Sequence, residues 1–220
     1  NATTRDEVIR RELRQLEGGW YSAAKLQRSK QRVDKLGYFS EVTLDTVGVP
    51  GVPDQVDINL KVVERPTGNL LFGIGYSSAE GVIFSGAVSQ NNLFGTGNAL
   101  ALQVNTGDVN TVYALSFTRP YFTDEGLGVG VDLYKRDVDA SSLSVSTYAT
   151  STLGTGLRFS VPITETDTIN YGLAAEETEI ELFEESAQRY RDFVDAFGPD
   201  NTALLVTAGW ARDKRDSTIF

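Results

Sequence analysis

The sequence predicts a small α+β domain followed by an antiparallel transmembrane β-barrel segment of about eight strands. Apolar residues recur at helical spacing before about residue 66 and at every second position after it, as in helices and then half-buried strands. The alternating segments are about ten residues long or more, the length that crosses a bilayer as a tilted strand. No run of about 18 apolar residues offers a membrane helix. We therefore divide the chain into residues 1–66 and 67–220.

Two helices are predicted at the start of the first domain. Thr4 and Glu7 have the spacing of a capping box, so we expect Thr4 to cap a helix that continues to Gly18. Ser22 is the predicted N-cap of a second helix, which ends at Gly37. The apolar residues of the second helix share one face, and most of its lysines and arginines lie on the other.

Two strands complete the predicted order helix-helix-strand-strand. Residues 42–44 and 56–62 read as an antiparallel pair, and the glycines and prolines of residues 48–54 form the loop between them. A two-stranded sheet is one strand short of what a stable sheet needs. We therefore expect that the first strand of this domain precedes Asn1 and is missing here.

The second domain contains eight predicted strands. They cover residues 69–77, 81–91, 97–107, 110–119, 126–137, 146–162, 166–180 and 201–213. On each strand an apolar row alternates with a row of small or polar residues, which favours a membrane barrel over a soluble sandwich, since a sandwich would carry charges on its outer rows. Aromatic residues near the strand ends, such as Phe94 and Phe122, suit an interfacial girdle.

The connections between these strands alternate in character. Residues 91–97, 119–124 and 162–167 lie at one end of the sheet, and residues 78–80, 106–110, 135–147 and 177–201 lie at the other. Short turns on one rim and longer loops on the opposite rim are typical of outer-membrane barrels. The first domain precedes the end with short turns, so we expect that end to face the periplasm.

Composition excludes several classes of site. The chain has no Cys and no His, which removes disulfides, thiolate metal ligands and the commonest general base. We expect no metal, no cofactor and no enzymatic activity. The net charge of −10 disfavours nucleic acid as a partner. Many acidic residues fall in 165–200, which reads either as a solvated loop or as a surface that meets divalent cations in a lipopolysaccharide leaflet.

Several motifs in order resemble the BamA family of outer-membrane protein assembly factors, over the last periplasmic POTRA domain and the first half of the barrel. The resemblance is close from residue 1 to about 123. In the rest of the chain the pattern of residue types matches better than the individual residues do. It is carried by residues 10–18, 36–39, 49–57, 63–65, 72–76, 92–97 and 120–123, which include Leu-Gly-Tyr-Phe, Asn-Leu-Phe-Gly-Thr-Gly and Pro-Tyr-Phe-Thr.

The resemblance implies a location in the bacterial outer membrane and a role in folding and inserting β-barrel proteins. It implies nascent β-barrel clients, accessory lipoproteins, outer-membrane lipids and lipopolysaccharide as partners. It also implies a barrel of about sixteen strands and an Arg-Gly-Phe or Arg-Gly-Tyr loop, a tripeptide that this sequence does not contain. We therefore expect the rest of the barrel to lie outside this chain.

The first barrel strand is the candidate client-binding site. In the family the barrel closes weakly between its first and last strands, and an edge strand offers unpaired backbone groups to another chain. The expected client-binding residues are Leu70, Leu71, Phe72, Gly73, Ile74 and Gly75. The alternative is that the two glycines only accommodate curvature of the barrel.

A second candidate site lies in the first domain. The resemblance implies that Glu17 contacts an accessory lipoprotein, with Arg14 beside it, whereas without the resemblance both read as solvated charges. Two other functions stay open. A translocation pore predicts client contacts in the lumen near Asp132 and Arg158, and a passive pore with a plug domain predicts no client contacts at all.

Overall fold

The computed structural model describes residues 3–78, 80–139, 141 and 148–214. The chain divides into two compact units. Among the described residues the first unit contains 3–67, 91–98 and 213–214, and the second contains 68–78, 80–90 and 99–212 with the gaps above. A domain boundary between residues 66 and 67 stays a prediction, and the structure adds that the segment 91–98 belongs with the first unit.

The first unit has the predicted order of helices and strands. Helix α1 covers Asp6–Arg10 and helix α2 covers Ala23–Lys35. Strands β1 and β2 cover Phe39–Gly48 and Val56–Glu64 and pair antiparallel. Both strands are longer than the sequence predicted, because their pairing continues to the ends of the turn between them.

The predicted boundaries of α2 are confirmed. The Ser22 hydroxyl accepts a hydrogen bond from the backbone N–H of Lys25 at 3.4 Å, as an N-cap does. The helix stops before Gly37, whose φ of +71° lies in the left-handed region that glycine reaches without strain.

The predicted capping box is wrong. The N-cap of α1 is Arg5, without a side-chain cap, and Thr4 is buried with its hydroxyl bound outside the helix. The helix also ends at Arg10 instead of continuing to Gly18. The backbone that follows Arg10 makes hydrogen bonds to other segments instead. For example, the N–H of Arg14 donates to the Ser29 hydroxyl at 2.8 Å. Tertiary hydrogen bonds thus replace the helical ones that the local sequence favours.

The core of the first unit lies between its helices and its two strands. It consists of Val8, Val33, Tyr38, Phe39 and Val42. Next to it, the buried carboxylate of Glu12 pairs with the guanidinium of Arg32 at 2.7 Å, which compensates for its removal from water.

The second unit is one antiparallel sheet of eight strands, as predicted. The strands follow the chain order from β3 to β10, with β3 and β10 at the two edges, so the sheet is open in the described residues. They are β3 Gly68–Ser77, β4 Gly81–Gln90, β5 Ala99–Thr106, β6 Asn110–Arg119, β7 Gly128–Asp139, β8 Tyr148–Pro162, β9 Asp167–Leu182 and β10 Asp200–Arg212.

The register places the predicted apolar rows on one face of this sheet. Leu102, Leu115 and Leu133 are aligned on β5, β6 and β7, and the next row contains Phe117 and Val131. The opposite face carries small and polar residues, because successive residues of a strand point to opposite faces. A sheet with one apolar face and one polar face matches a barrel wall between lipid and a wet lumen.

The segment 177–201 differs from the predicted loop. Strand β9 continues to Leu182, so Glu176 and Glu177 lie in the sheet opposite Gly154 and Leu153. A helix, α3, then covers Gln188–Phe197. Backbone pairing with the similarly long β8 outweighs the low strand propensity of the glutamates.

Part of the predicted loop 135–147, residues 140 and 142–147, lies outside the described residues. Of the helices described, none combines the length and apolar character needed to cross a bilayer.

The carboxylate of Glu64 makes the first unit sensitive to acid. The backbone N–H of Thr3 donates to it at 2.7 Å and that of Thr4 at 2.6 Å. These bonds, led by the one from Thr3, hold the pKa of Glu64 below its ordinary value of 4.5. A pKa that is lowered in the folded state contributes stability at pH values above the ordinary pKa, and that stability is lost as the pH falls through the folded-state pKa.

We expect the free energy of unfolding to fall less between pH 5 and pH 2 in Glu64→Gln than in the wild-type chain, as measured by urea titration. Glu41→Gln, on exposed β1, is the matched control, and equal pH profiles for all three proteins would contradict the assignment.

Candidate functional site

The predicted client-binding residues all lie on the edge strand β3. This strand pairs with β4 along its whole length, from Gly68 opposite Gln90 to Ser77 opposite Gly81. Among the described residues no strand pairs with its other side. The structure therefore brings Leu70 to Gly75 together on one exposed edge.

The alternation of backbone groups along this edge can be assigned. The N–H of Asn91 donates to the carbonyl oxygen of Thr67 at 3.0 Å, and these two residues continue the β3–β4 register by one step. In an antiparallel pair, residues turn their backbone groups alternately toward and away from the partner. Odd-numbered residues of β3 thus face β4. The even-numbered ones, Gly68, Leu70, Phe72, Ile74 and Tyr76, direct their N–H and C=O groups to the open side.

The same even-numbered residues carry most of the apolar side chains of the strand. The side chains of Leu70, Phe72, Ile74 and Tyr76 are between 64% and 79% exposed. The odd-numbered residues, including Gly73 and Gly75, belong to the opposite, polar face. A strand that pairs with this edge would thus meet an apolar row on one side, and the exposed Leu71 with two glycines on the other.

Apolar pairs such as Leu70–Val88 and Ile74–Phe84 support the pairing of β3 with β4, but two of its glycine positions add little. Phe72 lies opposite Gly86, and a Cβ placed on Gly86 would meet no atom within 4 Å. A Cβ on Gly75 would meet only Ile83, at 3.9 Å. Cross-strand side-chain pairs are the main stabilising unit of a sheet beyond its ladder, so the pairing gains least at these two positions.

The second edge, β10, is held differently. Its Trp210 and Arg212 side chains both donate to the carboxylate of Asp167 at the start of β9, at 3.1 and 2.6 Å. These bonds fix the end of β10 onto its neighbour.

The polar face carries an ion pair that joins three strands. The guanidinium of Arg158 on β8 donates to Asp132 on β7 at 2.9 Å and to the Ser116 hydroxyl on β6 at 2.8 Å. The phenol of Tyr134 donates to the carboxylate of Glu176 on the same face. The sequence placed Asp132 and Arg158 in the lumen, and the structure shows that they bind each other.

The accessory-site residues Glu17 and Arg14 are on the surface of the first unit, but they have different contacts. The exposed carboxylate of Glu17 accepts a hydrogen bond from Arg10 at 2.6 Å. The guanidinium of Arg14 donates to the backbone carbonyl of Arg11 at 3.3 Å.

Sequence reasoning missed the exposed apolar residues that flank Glu17. Leu16, expected on the apolar face of the first helix, is exposed, and Tyr21 and above all Trp20, which is 96% exposed, fall outside any helical pattern, which was the available signal.

Both parts of the chain match known families. Residues 92–220 match the Omp85 superfamily domain, and residues 1–65 match the POTRA family, described as a surface antigen variable number repeat. The two matches cover the second unit, apart from its first two strands, and nearly all of the first.

Named relatives match the whole chain. The outer membrane protein assembly factor BamA of Neisseria meningitidis is 43% identical over 100% of this chain and 29% of its own length. BamA of Nitratidesulfovibrio vulgaris is 32% identical over 99% of this chain and 26% of its own length. The chain thus spans less than a third of these relatives.

Solved structures share the fold. The crystal structure of BamA from Haemophilus ducreyi lacking POTRA domains 1–3 superimposes with a TM-score of 0.76, at 28% identity, over 99% of this chain and 43% of that one. CdiB from Acinetobacter baumannii superimposes with a TM-score of 0.57 at 16% identity, over 95% of this chain and 39% of that one, which is a likeness of fold alone.

The effect of glycine on the pairing of β3 can be tested with a β-branched residue. Gly75→Val fits the structure, because its Cβ would make only an ordinary contact with Ile83. Valine removes the extra backbone freedom of glycine, so we expect the β3 amides that face β4 to exchange with deuterium about two- to fivefold more slowly. Gly209→Val on β10, where a Cβ meets open space, is the control and should leave β3 unchanged. Exchange as fast as in the wild-type protein would show that glycine does not limit this pairing.

Proposed function

The chain belongs to the Omp85 superfamily, and we propose that it takes part in folding β-barrel proteins and inserting them into the bacterial outer membrane, with β3 as the template for a client strand. The POTRA unit lies in the periplasm and the sheet lies in the outer membrane. The chain spans 29% of the length of the Neisseria BamA, so the activity of a whole protein of this kind is part of the proposal.

The open edge of β3 supplies the driving force. Inside the hydrocarbon core an unpaired backbone N–H or C=O finds no water, and each one costs several kcal/mol (about 2–7 by transfer scales). An incoming client strand carries the same unsatisfied groups. Pairing the two removes both costs at once, which is β-augmentation applied to a folding substrate.

The single observation that carries this proposal is the pattern on β3. Outward backbone groups at Leu70, Phe72 and Ile74 coincide with exposed apolar side chains, so the open hydrogen-bonding edge and the apolar row lie on the same residues. A client strand with the same alternation would continue both the hydrogen-bond ladder and the lipid-facing row. The paired client could then leave, because the two glycines keep the strand weakly ordered.

Other partners follow from the surfaces of the two units. Lipids would contact the apolar face of the sheet, and lipopolysaccharide would surround its outer rim, where β9 carries Glu177, Glu179 and Glu181. Accessory lipoproteins of the assembly complex would bind the POTRA unit around Glu17 and Arg14. No catalytic step is part of the proposal, since templating needs no bond to be broken.

Disulfide crosslinking tests the template directly. Single cysteines at Asn69, Leu71 and Gly73 of the full-length protein are combined with cysteines along the last strand of a stalled client barrel in membranes. Odd-numbered positions would form the non-hydrogen-bonded pairs with a strand on the open side, where Cα atoms are about 4.5 Å apart and a disulfide closes readily. We expect crosslinks in a fixed register, with lower yield at Leu70 and Phe72.

The register gives a second criterion. Moving the cysteine two residues along β3 should move the client partner by two residues in the opposite direction, as antiparallel pairing requires. Cysteines in place of Asp132 and Arg158 are the lumen controls. Crosslinks that form only from these lumen positions would replace the template with a translocation pore.

The accessory site can be tested by charge reversal. Glu17→Arg removes the exposed carboxylate and places two cations side by side with Arg10, so we expect co-purification of the accessory lipoproteins to fall about tenfold. Glu41→Arg reverses an exposed charge on β1 of the same unit and serves as the control. Equal losses in both variants would point to general electrostatics instead of a contact at Glu17.

A further inference from the structure

The loop between β4 and β5 is part of the POTRA unit. Residues 91–98 connect two strands of the sheet, yet their tertiary contacts are with the first unit of the chain. The loop contains a short 3-10 turn, Leu93–Gly95, and two residues other than glycine with positive φ, Asn92 at 63° and Phe94 at 51°. Such a conformation is strained for a phenylalanine and persists only where the surroundings enforce it.

Asn92 links the loop to the N-terminal segment of the first unit. Its side chain is buried, with 8% of the residue exposed, and both ends of the amide are bonded. The Nδ2 atom donates to the hydroxyl of Thr4 at 2.8 Å, and the Oδ1 atom accepts from the N–H of Gly97 at 2.8 Å. Asn tolerates the left-handed conformation better than other polar residues, which fits it for this position.

The segment that receives Asn92 is held on its other side. Thr4 is as buried as Asn92, and its N–H and that of Thr3 both donate to the carboxylate of Glu64 at the end of β2. The N–H of Arg5 donates to the carbonyl oxygen of Gly95 at 2.9 Å. Residues 3–5 therefore bridge the POTRA sheet and the loop.

Two further contacts close the loop onto this unit. The phenol of Tyr38, a core residue, donates to the carbonyl oxygen of Gly97 at 3.3 Å. A Cβ on Gly95 would overlap the carbonyl oxygen of Thr3, so the two backbones approach as closely as glycine permits. Buried hydrogen bonds and a close backbone contact together fix the loop in one conformation.

We propose that Asn92 is a positioning residue that makes this loop move with the POTRA unit, so that a displacement of the unit is transmitted through the loop to β4. Strand β4 is the neighbour with which β3 pairs, and Gln90 at its end precedes Asn91 directly. Transmission would therefore alter the pairing of β3. The consequence for client assembly rests on the function proposed above, whereas the coupling between loop and strand does not.

Two substitutions remove the bond by different routes. Asn92→Gly keeps the left-handed backbone accessible and deletes both side-chain hydrogen bonds, and Thr4→Val deletes the hydroxyl at nearly constant volume. Thr4→Ser retains the hydroxyl and should behave like the wild-type protein. Gly51→Ala is the control for backbone strain, because Gly51 has a φ of +84° and a Cβ there would meet no neighbour within 4 Å.

Hydrogen exchange of the full-length protein in nanodiscs measures both segments that the proposal couples, the loop 91–98 and strand β3. We expect the amides of Arg5 and Gly97 to exchange about tenfold faster in Asn92→Gly and Thr4→Val, the size of effect that losing a buried hydrogen bond gives. The amides of Leu71 and Gly73, which face β4, should also exchange severalfold faster in these two variants and be unchanged in Thr4→Ser and Gly51→Ala.

The outcomes separate the coupling from the proposed function. Faster exchange at Gly97 with unchanged exchange on β3 would overturn the proposal, because the loop would then be a local anchor only. Faster exchange at β3 in Gly51→Ala as well would also overturn it, since general strain would explain the effect. Should β3 respond as expected while no client crosslinks form from β3 in the wild-type protein or the variants, the coupling stands and the templating function fails.

Discussion

One constraint governs the second unit: a polypeptide in the hydrocarbon core must pair every backbone polar group. Eight strands satisfy this constraint for one another, which is why the long strands β8 and β9 continue their ladder through residues of low strand propensity such as Glu177 and Glu179. Among the described residues the constraint is unmet only at the two sheet edges. An edge that is open and apolar, as β3 is, gains free energy when another strand pairs with it.

The first unit is stabilised in a different way, because water surrounds it and its core is small. Its stability depends on a few buried side chains, Val8, Val33 and Phe39 among them, and on polar groups with defined partners. The ion pair of Glu12 with Arg32, the carboxylate of Glu64 and the amide of Asn92 each fix a segment without regular secondary structure. A domain held in this way presents loops in one conformation, which is what positions the strands that leave them.

The sequence predicted much of this fold, and its failures have physical reasons. Alternation of apolar residues predicted all eight strands of the sheet, and Ser22 and Gly37 predicted the ends of α2, because these signals are local. The capping box at Thr4 was wrong because its hydroxyl binds Asn92, a residue 88 positions away. Helix α3 was missed since a short amphipathic segment among acidic residues resembles a loop. The resemblance directed attention to β3, but which of its backbone groups face outward required the register with β4.

Binding of client-derived peptides tests the template most directly. A set of peptides from the last strand of a client, each with a single N-methylated amide, is titrated into the full-length protein in nanodiscs, and each affinity is compared with that of the unmodified peptide. The account predicts an alternating pattern: methylation weakens binding at every second position, where the amide would donate to the outward carbonyl oxygens of Leu70, Phe72 and Ile74, and has little effect between them. Losses that are equal at all positions, or absent at all of them, would contradict templating by the β3 backbone.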